Sequence, residues 1–284
     1  PPPSPSSPPP PPKPTASNDP HLRLPHGAHA DFRGEHNQTF VVLSAKDVAF
    51  NIRTEAADFR WNKRLVHGTK MAAAFWVIRT STGKLLNIEY NDSFKAGGFV
   101  YEQGHKNVFV RDGEPPVVVD NVAVSVVGHT MTVVVQDKWE LAATIAPFPF
   151  GNLLNKNKNL LNININPLYN ADADVVAPHG IIGQAYDGDN IGINGKSDSE
   201  RGPETTTKAQ AEGAIEGEWR DYKVASKFST DFKYSRFNAR FAPHRDVSKL
   251  TGDRVQLAAA GAKVSKSAGA SDFAPEDLLS LVVD

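Results

Sequence analysis

The chain has 284 residues, 40% of them hydrophobic, with 31 basic residues against 32 acidic ones and a formal charge of −1. That balance lacks the basic excess of a nucleic-acid binder, and no apolar run reaches the length of a membrane-spanning helix. There is no cysteine, which removes disulfides, thiolate nucleophiles and cysteine metal sites together.

Residues 1–17, PPPSPSSPPPPPKPTAS, contain ten prolines and predict a polyproline II arm, extended and without internal hydrogen bonds. It reads as a linker, or else as a glycosylated stalk or a strand-like packing element in a larger assembly; Ser4-Pro5 and Ser7-Pro8 resemble the Ser-Pro-rich stalks of algal and plant wall glycoproteins. In such stalks Ser4 and Ser7 would carry sugar. The chain begins on proline with no leader in view, so it is expected to be a processed or partial product.

From residue 38 to about 166 the pattern is β. Short runs rich in Val, Ile and Phe (39–43, 48–53, 71–78, 85–90, 98–102, 107–110, 117–127, 131–136, 139–145) are separated by turn signals such as Ser81-Thr82-Gly83-Lys84, Arg111-Asp112-Gly113 and Val127-Gly128-His129. Consecutive strands without a helical period predict a mainly β, antiparallel sandwich or barrel-like module. In 161–166, Leu161, Ile163 and Ile165 alternate strictly with Asn162, Asn164 and Asn166, giving one buried face and one amide face. The amide face is a polar outer surface, or else a site for sugars or a neighbouring copy.

Beyond a polar stretch at 191–207, Ile215, Trp219 and Tyr222 fall at i, i+4 and i+7, so a helix is expected over about 208–228, weakened by Gly213 and Gly217. Residues 231–241, DFKYSRFNARF, read as an aromatic strand or arm. Phe232, Tyr234, Phe237 and Phe241 would form a contact surface for assembly. Residues 242–284 read as a linker-like tail with a short docking helix near Pro275. The organisation expected is therefore an arm at 1–17, a β module at 18–200 and a short helical extension at 201–284.

Two motifs carry a resemblance. Asp19-Pro20-His21-Leu22, followed by His26-Gly27-Ala28-His29-Ala30-Asp31-Phe32-Arg33-Gly34, resembles the opening of von Willebrand factor type D modules. His179-Gly180-Ile181-Ile182-Gly183-Gln184 with Asp187-Gly188-Asp189 resembles their closing segment. Asn18 stands where those modules have glycine, Ile182 where they have cysteine and Gln184 where they have asparagine. The closing form is similar to the cysteine-poor relatives, the C-terminal region of inter-alpha-trypsin inhibitor heavy chains and plant root-cap proteins. The resemblance covers about residues 18–200. It implies an extracellular, non-enzymatic matrix or adhesion role, without disulfide-linked multimers, and calcium in the acidic closing loop.

That loop, 187–198 (DGDNIGINGKSD), also fits an EF-hand pattern in part. Asp187, Asp189, Gly192 and Asp198 fall on positions 1, 3, 6 and 12, while Ile191 at position 5 cannot ligate through its side chain. Asp187, Asp189, Asn190, Asn194 and Asp198 are the candidate calcium ligands; the alternative is a plain Asx-rich turn. His21, His26, His29 and His36 with Asp31 raise a zinc reading, but Pro25 and Gly27 deny the segment a helix, and on a strand His26 and His29 would point apart. His21 and His179 are expected to meet where the module closes. Ser44, His179 and Asp187 are the residue types of a hydrolase, but no nucleophile elbow or phosphate-binding glycine loop accompanies them. Arg60-Trp61-Asn62-Lys63-Arg64 with His67 and Lys70 is a basic cluster, read as a solvated loop or a site for anionic polymers. Asn37-Gln38-Thr39 and Asn91-Asp92-Ser93 are glycosylation sequons.

The expectation is a secreted or cell-surface structural glycoprotein, not an enzyme. It would assemble with itself or with other matrix glycoproteins through its β module and extended ends, with no nucleic-acid partner and no membrane span. The alternative is a calcium-dependent glycan-binding module.

Overall fold

The computed structural model describes residues 13–17, 20–61, 63–94, 96–102, 107–148, 153–154, 159–198 and 203–256. Eighteen strands are described. They are β1 (Thr15–Ser17), β2 (His21–Arg23), β3 (His29–Asp31), β4 (Gln38–Ala45), β5 (Val48–Trp61), β6 (Arg64–Arg79), β7 (Leu85–Asn91), β8 (Gly97–Glu102) and β9 (Val108–Arg111). β10 (Val117–Val119), β11 (Val122–Val127), β12 (Thr130–Val135), β13 (Trp139–Pro147), β14 (Asn159–Pro167), β15 (Ile191–Ile193), β16 (Glu204–Thr206), β17 (Lys223–Val224) and β18 (Arg254–Gln256) complete the set.

One sheet runs β10-β11-β12-β13-β14-β1-β2-β3 and is antiparallel throughout. The second runs β17-β4-β5-β6-β7-β8-β9, with β16 added parallel to β6. Strict alternation assigns the faces. In β12 Met131, Val133 and Val135 are buried while Thr130, Thr132 and Val134 are half-exposed. The inward residues of both sheets, among them Leu141, Ile163, Phe50, Trp76, Ile88 and Val100, belong to one core cluster, with Phe50 and Trp76 stacked at 4.8 Å. The architecture is a β-sandwich; the sheets do not close into a barrel.

Several expectations change. Residues 15–17 are not polyproline arm but a strand hydrogen-bonded on both sides, between β14 and β2. The basic segment is not a loop: β5 and β6 continue as one long hairpin, pairing Val48 with Ile78 at its base and Trp61 with Arg64 at its tip. Within it Lys70 is fully buried, donating to Asp92 and to the Asn159 carbonyl, and His67 pairs with Asp58.

The helix expected over 208–228 is absent; one 3-10 turn, Trp219–Tyr222, stands in its place. Ala211, Gly213 and Gly217 all adopt positive φ, which interrupts any helix there. Ile215 and Tyr222 are nevertheless buried, because an irregular segment lying on a sheet can place the same side chains inward. The aromatic segment is not a strand either. Its backbone forms successive turns, Ser235 to Phe232 and Ala239 to Arg236.

Residues 203–256 are also not a separate extension. They supply β16, β17 and β18, and they cover the outer face of β4–β6, where Phe237 packs on Ala49 and Val77. The polyproline stretch before residue 13, with Ser4 and Ser7, and the tail beyond 256 lie outside the described residues.

Candidate metal centre and closing corner

The segment 179–182 closes the sandwich along β4. His179 and Ser44 exchange both backbone hydrogen bonds at 2.7 Å, and Ile181 and Ile182 donate to the carbonyls of Val41 and Val42. This pairing uses the β-bulge between Val41 and Leu43, which leaves the Val42 carbonyl without a partner on β5. Gly180 lies across that bulge with φ 101°, and a β-carbon there would come within 2.7 Å of the Val42 backbone. Glycine is therefore required both by conformation and by space.

The polar residues of the corner are sealed. Gln184 donates to the Gly180 carbonyl and to the Tyr222 hydroxyl, and accepts from the Glu216 backbone N–H. Tyr222 in turn donates to the Glu216 carbonyl at 2.6 Å. The His179 imidazole is fully buried, stacked at 4.5 Å on Tyr234, with Nε2 3.3 Å from Glu216 Oε2. Burial pushes His179 down to about 4, with nearby Arg236 and Arg245 adding to the shift and Glu216 opposing it. The hydrogen bond from His179 holds Glu216 below its ordinary range. At neutral pH the pair is a neutral imidazole donating to a carboxylate.

A second cluster lies where three segments converge. Pro25–Gly27 forms a 3-10 turn in which His26 takes φ 60°, a left-handed conformation uncommon for a residue with a β-carbon. His26 Nε2 reaches Asp172 Oδ1 at 3.2 Å, and the Gly188 N–H donates to the same oxygen at 3.1 Å. One ligand atom each from His26, Asp172 and Asp187 lie within 4.8 Å of one another. Asp187 Oδ2 is held by Arg245, whose Nε is 2.8 Å and Nη2 2.7 Å away. Asp187 Oδ1 is buried and has no hydrogen-bond partner among the described residues. The hydrogen bond to Asp172 raises His26. Burial raises Asp187, and neighbouring Asp189 adds to this while Arg245 opposes it.

The structure does not gather the expected calcium loop. Asp187 joins His26 and Asp172, and Asp189 lies beside it while capping the Ile191 N–H. Asn190 occupies a left-handed turn position with φ 56°. Asn194 accepts from the His29 N–H, and Asp198 accepts from the N–H groups of Lys208 and Ala209. Gly192, expected at an EF-hand bend, sits inside β15. Calcium prefers six to eight oxygens. A site built on an imidazole and two carboxylates does not fit that preference.

The other candidates are also placed. His21 pairs with Asp31 at 2.6 Å and His179 with Glu216, so the two histidines have separate partners. Ser44 is buried and accepts from the Arg236 N–H, so Ser44, His179 and Asp187 each serve a different contact. Phe237 is buried, Tyr234 stacks on His179, and Phe232 packs on the core cluster. Of the four assembly aromatics only Phe241 faces solvent, at 75% exposure. Asn37 is exposed at a turn, whereas Asn91 uses its side chain to cap the Ser93 N–H.

Asp172, Glu216 and Arg245 escaped the sequence reading because each is distant in the chain from its partner. No protein-family model matches the chain, and no curated protein matches it in sequence.

Proposed function

We propose that the protein is a secreted structural glycoprotein, built on a type D-like β body, that assembles with itself or with other matrix glycoproteins. The observation that carries this reading is the outer face of the first sheet. Ser125, Thr132, Ala142, Asn164 and Thr15 form one row across five strands, each pair directly opposite in register, with Thr130, Thr144 and Asn162 in the next. These side chains are half-exposed and none is charged. The surface of a free domain is ordinarily about a quarter to a third charged, so an uncharged row of hydroxyl and amide side chains is suited to contact. Charge borders the row on both sides, with exposed Arg23 directly opposite Thr15 on β2 and Lys13 paired with Glu140 at 3.1 Å.

The proline-rich arm enters the body through β1, in the interior of this same sheet. Load on the arm would therefore pass into the body through a hydrogen-bonded strand rather than through a free tether. The exposed sequon at Asn37 accords with secretion.

A charge planted in the row tests the reading. The full chain is expected to form oligomers or filaments with rising concentration, visible by light scattering and electron microscopy. Asn164→Lys and Thr132→Lys should abolish them without altering the circular dichroism. A wild-type chain that stays monomeric at high concentration, or assembly indifferent to both charges, would defeat the proposal. The same amide and hydroxyl row suits sugar hydroxyls, which is the observation favouring a glycan-binding module. Glycan-array binding by monomeric protein, lost in the same variants, would favour that second reading.

A further inference from the structure

We propose that His26, Asp172 and Asp187 together bind one divalent transition-metal cation of the zinc class. The inference stands independently of the assembly reading. Three observations converge on it. The first is spacing. Ligands held 2.0–2.1 Å from a tetrahedral zinc lie about 3.3 Å apart, and His26 Nε2 and Asp172 Oδ1 are already 3.2 Å apart. A metal would replace the proton these two atoms now share, and one ligand atom each of His26, Asp172 and Asp187 lie within 4.8 Å of one another.

The second is the orphaned acceptor. The Asp187 side chain is 1% exposed, and Arg245 engages only Oδ2. Oδ1 is left buried without a donor among the described residues. A buried carboxylate oxygen without a partner is costly, and a cation is the partner that satisfies it best.

The third is charge. Three carboxylates, Asp172, Asp187 and Asp189, are gathered about one guanidinium, Arg245, which leaves an acidic excess in the pocket. A divalent ion offsets it. The side chains of His26 and Asp172 are 11% and 24% exposed, which leaves a route for the ion and a position for water.

Imidazole nitrogen selects for zinc and its neighbours over calcium and magnesium. The ion would tie the Pro25–Gly27 turn to the Asp172 turn, 146 residues away, and to the closing corner. It would thus act as the staple that a chain without cysteine lacks.

Zinc titrated into the full chain against a chromophoric chelator at pH 7.5 should bind with one-to-one stoichiometry. Asp172→Asn and His26→Gln should each weaken it at least tenfold. Cobalt should give visible d–d bands in the wild type that both variants lose. Far-UV circular dichroism in EDTA checks that the variants fold, and if His26→Gln does not, Asp172→Asn decides. Absence of saturable zinc binding, binding unchanged in the folded variants, or calcium bound in preference to zinc would each overturn the proposal.

Discussion

The buried imidazole of His179 makes the fold sensitive to acid in a calculable way. Its ordinary value is 6.5 and burial lowers it to about 4, so the unfolded chain takes up a proton well before the folded one does. Between those values the unfolded state binds more protons, and stability falls as pH falls. For this pair of values the loss between pH 7 and pH 5 is roughly 2 kcal/mol, rising to about 3 kcal/mol once both states are protonated. Glu216, held low by the same hydrogen bond, adds a further loss only below its ordinary carboxylate range. His26 has the opposite sign: its raised value favours the folded state at low pH and cancels part of the effect. The comparison must therefore be differential. Urea unfolding of the wild type and of His179→Gln, which keeps a donor toward Glu216, should be measured at pH 7, 6 and 5 in EDTA. The wild type should lose roughly 2 kcal/mol more than the variant over that range. Equal losses in both proteins would show that His179 is not held neutral by its surroundings, and the reasoning would fail.

Two further perturbations test the frame around this corner. Gly180→Ala forces a β-carbon against the Val42 backbone at positive φ and should cost at least about 3 kcal/mol in urea unfolding, since neither bulge nor corner can withdraw; a loss below 1 kcal/mol would mean the corner is pliable. Lys70→Met strands Asp92 in the interior and should cost about 3–5 kcal/mol, whereas Lys70→Met combined with Asp92→Leu should recover most of it. A neutral single variant in the same assay would show that the pair is solvated.

The long strands were legible because each reports its own environment. In β12, β13 and β14 every second residue is apolar, and the period of two states both the conformation and the buried face. The turns between them were legible for the same local reason: Gly128 and His129 both take positive φ in the hairpin joining β11 to β12. The strands β1, β2 and β3 were not. Each is three residues long, too short to show a period, and proline lies close by. The hairpin extension of β5 and β6 was missed because charged residues interrupt the alternation there; Lys70 reads as surface until the partner Asp92 is known.

The third layer shows the limit of periodic reasoning more sharply. Ile215, Trp219 and Tyr222 have helical spacing, yet Ala211, Gly213 and Gly217 turn the backbone left-handed around them. Spacing reports which residues must be buried; it does not by itself report how the backbone delivers them when a ready-made sheet face awaits.

The site depended on pairings of a different kind. Asp187 was visible in the sequence as part of an acidic loop, and the loop suggested ligands from its own next eleven residues. The fold instead assigned Asn194 to the β3 backbone and Asp198 to that of 208–209, paired Asp187 with Arg245 and set it in a cluster with His26 and Asp172. Local acidic spacing specifies a metal loop only where the loop folds back on itself. Here Ile191 and Ile193 form β15 against β18, which straightens the chain through the very residues that an ion would need curved. The apolar side chains inside the acidic loop therefore decided against the local site. The same straightening leaves Asp187 at the corner, facing the turn that carries His26.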